Sequence, residues 1–404
     1  MSNRLQAGGL SLRPLDEAAL DLGRLARLRQ AIVEADCGAA VFVDSANIRY
    51  ATGTSNMQVY AGHNPCRYVF VPAEGPVVLF EFSNCAHLSA SHPVVDEVRP
   101  AISWYHFVSG PRVAENAERW AAELADLTRR HGGGNLRLAI DRVDPMGTWA
   151  LQRHGIEICD GQAVASHAKK IKTAEEIKAV RNAVAVCDEG LRRMHAALEP
   201  GITEQQLWSF LHQANAELGG EWIETRLLTS GPKTHPWYQE CGERVIEAGD
   251  MVSLDTDLVG AHGYSADLSR SWIAGSGKPK ESQRRLYAIA HESLTHNIAL
   301  FRAGTTFREI AEHAFLAPEP YRDTPLPALA HGIGLVNEYP LLLSKRYWDS
   351  HGYDDVIEEG MVLCVESYLA DKAAGEGVKL EQQILIGAAG PEVLSAFPME
   401  EAML

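Results

Sequence analysis

Apolar residues in the first part of the chain switch between helical and extended spacing. Residues 22–35 carry apolar positions at three- and four-residue steps, and Ala39-Ala40-Val41-Phe42-Val43 follows as a short apolar strand. RYVFV (67–71) and VVLFEF (77–82) are strand-like and are joined by the turn residues Glu74-Gly75-Pro76, which predicts a hairpin. LRLAID (136–141) is a further strand, after the flexible Gly132-Gly133-Gly134. Residues 1–165 therefore read as mixed α/β, and no cluster in them resembles a catalytic set.

The helix signals sharpen beyond that point. Thr173-x-x-Glu176 is a capping box, in which a Thr side chain and a Glu side chain satisfy each other's backbone N–H groups. Ile177, Val180, Val184, Cys187, Leu191, Met194 and Leu198 then form one apolar helical face that stops at Pro200-Gly201. That stripe reads as core packing. A second capping box, Thr203-x-x-Gln206, opens a helix that ends at Gly219-Gly220. The basic stretch Lys169-Lys170-Ile171-Lys172 suggests a boundary, giving expected domains of 1–165 and 166–404. There is no internal repeat and no low-complexity run.

Composition narrows the class. A length of 404 residues is more than one ordinary core supports. The 53 acidic against 37 basic side chains give a net charge of −16, which argues against nucleic acid or an anionic membrane as partner. No run approaches the roughly 18 apolar residues of a membrane span, and the first residues lack the apolar core of about 7–15 residues of a signal peptide. The seven cysteines are scattered and contain no Cys-x-x-Cys pair, the usage of reduced thiols in a cytoplasmic protein.

Candidate chemistry is confined to the second half. In MVSLDTDLVGAHGYSADLSRSW (251–272), Met251–Asp257 reads as a strand, so Asp255 and Asp257 should share a face, and a Gly-rich turn returns the chain to Asp267. These carboxylates are either a cation site or solvated turn residues, with Asp267 free to pair with Arg270. His331-Gly-Ile-Gly334 permits close approach of a ligand, although an isolated His is often structural. Glu366 interrupts the apolar strand MVLCVESYLA, and Glu381 interrupts a second apolar run across a Gly-containing connection. A carboxylate in such a run is costly unless paired or metal-bound, and the two would be partners on a hairpin. The ordered set Asp, Asp, His, Glu, Glu suits Mn²⁺, Fe²⁺, Co²⁺ or Zn²⁺, and its carboxylate count suits two ions about 3.5–4 Å apart.

That ordered set resembles the pita-bread superfamily of creatinase, prolidase, aminopeptidase P and methionine aminopeptidase. The closer resemblance is to the dimethylsulfoniopropionate lyases of the DddP type. It is carried by NIRYATGTSNMQ (47–58), HNPCRYV (63–69), GGEWIETRLLTSGPKTHPWYQECGERV (219–245), DTDLVGAHGYSADLSRSW (255–272) and MVLCVE (361–366). It implies an α+β (mixed) fold with a creatinase-like α/β N-terminal domain and a C-terminal pita-bread domain. It also implies six metal ligands, Asp255, Asp257, Asp267, His331, Glu366 and Glu381, holding two divalent ions, iron first with manganese, zinc or cobalt as alternatives. The peptidases of the superfamily usually hold two ligand aspartates eleven residues apart; here the distances to Asp267 are twelve and ten.

Two departures bear on catalysis. The lyases carry an Asp, a proposed base, where this chain has Asn337, and an amide cannot take a proton at neutral pH. A Tyr five residues before the ligand His is replaced by Leu326, and the second His of the peptidases is also missing. His235 stands where the lyases have Asn and offers an alternative acid/base group, beside Asp255 and His331. The expected activity is a metal-dependent carbon–sulfur lyase that eliminates dimethyl sulfide from a small zwitterionic substrate and leaves acrylate. The alternative is an Xaa-Pro dipeptidase or aminopeptidase-type hydrolase; a non-catalytic binding protein fits the complete ligand set least. Trp222, Trp237 and Tyr238 are either an aromatic cradle for a sulfonium or ordinary core. The resemblance further implies a homodimer, with Tyr60 and His63 near the neighbouring subunit's pocket.

Overall fold

In the computed structural model, which describes residues 10 and 12–404, Asp16 caps the first helix, Glu17–Glu34, by accepting a hydrogen bond from the Ala19 N–H. This helix begins a unit of residues 16–169. Its six-stranded sheet contains β1 (Ala39–Phe42), β2 (Tyr68–Pro72), β3 (Val78–Glu81), β4 (Glu97–Pro100), β5 (Arg137–Ile140) and β6 (Glu157–Asp160). The spatial order is β4-β3-β2-β1-β5-β6, and β2–β3 is the hairpin that the Glu74-Gly75-Pro76 turn predicts. Trp120, Ala121 and Leu124 of the helix Val113–His131 pack with Val41, Phe70, Phe80 and Leu138 in one core.

The second unit comprises residues 170–404 together with 12–15. Both predicted capping boxes form, Thr173–Glu176 opening the helix Ala174–Ala197 and Thr203–Gln206 opening the helix Glu204–Glu217. Glu176 has a further role: it accepts from the Tyr264 hydroxyl at 3.0 Å, tying the helix start to the turn that carries the aspartates.

The strands of this unit are β7 (Trp222–Ile223), β8 (Leu228–Ser230), β9 (Met251–Asp255), β10 (Leu258–Val259), β11 (Ser265–Ala266), β12 (Ser269–Ile273), β13 (Ala328–Ile333), β14 (Asn337–Leu343), β15 (Val362–Asp371), β16 (Glu376–Gly387) and β17 (Gly390–Val393). They form three sheets, ordered β11-β10-β7, β12-β9-β8 and β14-β13-β15-β16-β17. Side chains alternate across a strand, so the long β15–β16 hairpin has two unlike faces. Leu363, Val365, Leu369, Val378, Leu380 and Ile384 form one core with Leu286, Tyr287, Ala290 and Leu294 of the helix Glu281–Leu300. The opposite face carries Cys364, Glu366, Tyr368, Lys379, Glu381 and Gln383.

One expected strand is shorter than its pattern suggests. β9 ends at Asp255, and Asp257 has φ +37°, a turn conformation that Asp adopts more readily than most residues. Leu258 then starts β10 in a different sheet. Asp255 and Asp257 therefore do not lie on one face of one strand.

Candidate metal centre

The register of the sheets brings the acidic residues together. Glu366 is paired with Glu381 across β15–β16, His331 of β13 with Cys364 of β15, and Asp255 of β9 with Ser269 of β12. His331 Nε2 is 3.7 Å from one carboxylate oxygen each of Asp267, Glu366 and Glu381. Those separations are too long for hydrogen bonds, but they suit ligands of one cation with bonds of about 2.1 Å. Glu381 Oε1 is buried and has no hydrogen-bond partner, as a vacant ligand atom would be. The donor set, carboxylates with one imidazole, is that of a hard or borderline divalent ion.

A buried lysine completes this centre. Lys379 Nζ is 2.6 Å from Glu381 Oε2, 3.1 Å from Asp255 Oδ2 and 3.1 Å from Glu366 Oε2. It also donates to Ser269 Oγ at 2.8 Å, and Ser269 Oγ is 2.7 Å from Asp255 Oδ1 and 2.8 Å from Glu381 Oε2.

The electrostatics follow from burial. Burial, then Asp257 and Glu381, raise the Asp267 carboxyl well above its ordinary value. Burial pushes Asp255 up to about 7 against the pull of Lys379. At Glu381 burial acts upward too, but Lys379 and His331 outweigh it and hold the carboxyl below its ordinary range. For His331 burial is outweighed by Glu381 and Glu366, and the imidazole rises to about 9. Two like charges 4 Å apart cost about 4 kcal/mol at an effective dielectric constant of about 20. One ammonium and one imidazolium cannot offset five carboxylates at that scale, whereas divalent cations can. The residues present fit a metal.

Asp257 lies to one side. Its N–H donates to Asp267 Oδ1 at 3.3 Å, and its carboxylate accepts from the Thr225 hydroxyl at 2.7 Å. It lines a cavity of about 290 Å³ with Glu224, Thr225 and Asn337, and Asn337 itself is exposed. Asp267 does not pair with Arg270. The buried Arg270 guanidinium instead donates to the carbonyls of Ser269, Glu381 and Phe397, fastening the C-terminal segment to the site strands.

His235 Nδ1 is 3.0 Å from the Tyr368 hydroxyl, which donates its one proton to the Thr234 carbonyl at 2.9 Å. The hydroxyl must therefore accept from His235 Nδ1–H, leaving Nε2 with a free lone pair. Burial, aided by Lys372, lowers the pKa of this imidazole below its ordinary value. Trp237 is buried with Leu326, Tyr368 and Ala370, so its role there is packing, and Leu326 supplies bulk without a hydroxyl. Tyr238 is 64% exposed; partial burial pushes its phenol up and the nearby Glu366 adds to the shift. Trp222 donates its indole N–H to Glu224 beside the Asp257–Asn337 cavity. A larger cavity of about 470 Å³ reaches Glu366, Ser367, Tyr368 and Leu326. Tyr60 and His63 belong to the other unit, at the exposed helix Gln58–His63.

Lys379, Ser269, Tyr368 and Cys364 were not anticipated. The signal for Lys379 was present, since it interrupts an apolar strand two residues from Glu381, as Glu366 interrupts its own. The Cys364 thiol lies within the Asp267, His331 and Glu381 group, but burial raises it well above its ordinary value and keeps it protonated.

Residues 178–388 match the metallopeptidase family M24, and residues 24–143 match the creatinase/prolidase N-terminal domain. The chain belongs to metallopeptidase family M24. It is 38% identical over 383 residues to the dimethylsulfoniopropionate lyase DddP of Roseovarius nubinhibens, a match spanning 94% of this chain and 86% of that one. The protein of the same name from Roseobacter denitrificans is 37% identical over 96% of this chain and 88% of its own. An Xaa-Pro dipeptidase of Pyrococcus furiosus is 27% identical over 56% of this chain and 63% of its own. Among solved structures, the Xaa-Pro dipeptidase of Bacillus anthracis superposes with a TM-score of 0.76 at 21% identity, covering 94% of this chain and 99% of that one, a likeness of fold. The fold is the expected one, a creatinase-like N-terminal domain followed by a pita-bread domain.

Proposed function

We propose that the protein is a metal-dependent carbon–sulfur lyase that splits a dimethylsulfoniopropionate-like zwitterion into dimethyl sulfide and acrylate. The observation that carries this reading is the centre of Asp255, Asp267, His331, Glu366 and Glu381 in a chain similar over 94% of its length to a lyase of that activity. Bound divalent ions, two in number and iron first, would hold the substrate carboxylate and stabilise the charge that develops as the α-proton departs.

The chain's own residues supply the rest. His235 is the base: Tyr368 fixes its tautomer and Nε2 accepts the α-proton. As that proton leaves, the C–C double bond forms and the C–S bond breaks, its electron pair departing on sulfur. Tyr238, exposed beside the Glu366 carboxylate, offers its ring face to the sulfonium. Asn337 and Asp257 line the adjoining cavity, Trp222 is tied to its wall through Glu224, and the three would orient the substrate.

The competing activity is an Xaa-Pro peptidase, favoured by the M24 match and the dipeptidase relatives. A release assay separates the two: dimethyl sulfide from the sulfonium compound against proline from Xaa-Pro dipeptides. Dimethyl sulfide without proline is the expected result. Cytoplasmic location, supported by the cysteine usage, and a homodimer that uses Tyr60 and His63 complete the proposal; no helix among the described residues is long and apolar enough to cross a membrane.

A further inference from the structure

Lys379 and Glu381 are two residues apart on β16 and share its polar face. Lys379 is fully buried, and its ammonium touches carboxylates from three strands: Asp255 of β9, Glu366 of β15 and Glu381 of its own strand. Ser269 of β12, also fully buried, bridges the same ammonium to Asp255 and Glu381. The oxygens so held are not those facing His331. Lys379 binds Oε2 of Glu366 and Glu381, while Oε1 of each lies 3.7 Å from His331 Nε2. Each of these two carboxylates is thus anchored by one oxygen to a fixed cation and presents the other to the candidate metal.

Charge counting gives the same role. Asp255, Asp257, Asp267, Glu366 and Glu381 carry five negative charges when ionised. Two divalent ions supply four positive ones, and the Lys379 ammonium supplies the fifth. A chain with two aspartates flanking position 256 has one carboxylate more than two divalent ions neutralise.

We propose that Lys379 is a permanent structural cation of the metal centre, which balances the fifth carboxylate and keeps Glu366 and Glu381 together when no metal is bound. This rests on the metal-dependent reading above. Without metal, Lys379 is, among the described residues, the one cation that reaches all three of Asp255, Glu366 and Glu381, while His331 lies 3.7 Å from the last two alone; with metal, it is one of several. Its loss therefore weakens the metal-free protein more than the loaded one.

The test is the thermal midpoint of the full chain, stripped of metal and then saturated with Mn²⁺, for wild type, Lys379→Met and Lys379→Arg. The expected result is a fall of several degrees in metal-free Lys379→Met, a smaller fall when loaded, and hence a larger metal-induced rise than in wild type. Lys379→Arg, which keeps the charge, should respond as wild type does. Equal falls with and without metal would make Lys379 a packing residue and overturn the proposal. If Lys379→Met folds only with metal present, the proposal stands; if both variants fail to fold even with metal, charge is not the cause and it falls. Absence of any response of the wild type to Mn²⁺, Fe²⁺, Co²⁺ or Zn²⁺ would remove the metal-centre reading itself, a failure distinct from the packing outcome.

Discussion

Glu366 and Glu381 face each other directly across the β15–β16 ladder, on the polar face of the hairpin. Like charges opposite one another destabilise a sheet, so this pair needs a cation between its carboxylates. Lys379 supplies one and the His331 side of the site has room for another. Asp267→Ala or His331→Ala should accordingly lower turnover by about 100- to 10,000-fold, the several kcal/mol a metal supplies, while the fold survives. Steady-state kinetics with circular dichroism checks this; unchanged turnover in either variant contradicts the assignment.

Lys172 and Glu338 form an ion pair at 2.8 Å with both side chains 2% exposed, and Glu338 also accepts from the Leu335 N–H. Removing one partner of such a pair leaves an uncompensated charge. Glu338→Ala should cost about 3–5 kcal/mol in chemical denaturation. A change within about 0.5 kcal/mol, the range of an ordinary surface substitution, would show that the pair does not act as a buried one.

The His235 base must be neutral to work, and burial together with Lys372 lowers its pKa below the ordinary histidine value of about 6.5. The acid limb of kcat/KM should therefore lie below that value: activity holds on descending to it and falls further down as the imidazole gains its proton. His235→Gln should lose about 100- to 10,000-fold in kcat and the limb with it. A limb that stays in place in the variant belongs to another group.

Asn337 is exposed beside Asp257 and is not a base in this chain. With His235 taking the α-proton, Asn337→Asp should change kcat less than about tenfold, below what a general base contributes. A gain of several orders of magnitude would mean that the natural substrate is a different one.

Much of this was legible in the sequence because the signals were local. Capping boxes at Thr173 and Thr203 are set by residues three apart, and a lone Glu in an apolar strand is anomalous wherever it occurs. Asp257 was misread because a period of two assumes the strand continues, and the sequence does not display the positive φ that ends it at Asp255. Trp237 could not be sorted between cradle and core, since that depends on Leu326 and Tyr368, which come from distant segments. Lys379 was missed for a chemical reason: cations in apolar strands are easily taken for edge residues, whereas this one is covered on all sides.

The most direct measurement is headspace detection of dimethyl sulfide from dimethylsulfoniopropionate, with protein as purified, stripped by chelator and reloaded with Fe²⁺ or Mn²⁺. The account predicts release that disappears on stripping and returns on reloading, with one acrylate formed per dimethyl sulfide. No dimethyl sulfide in any metal state, together with proline release from Xaa-Pro dipeptides, would contradict it.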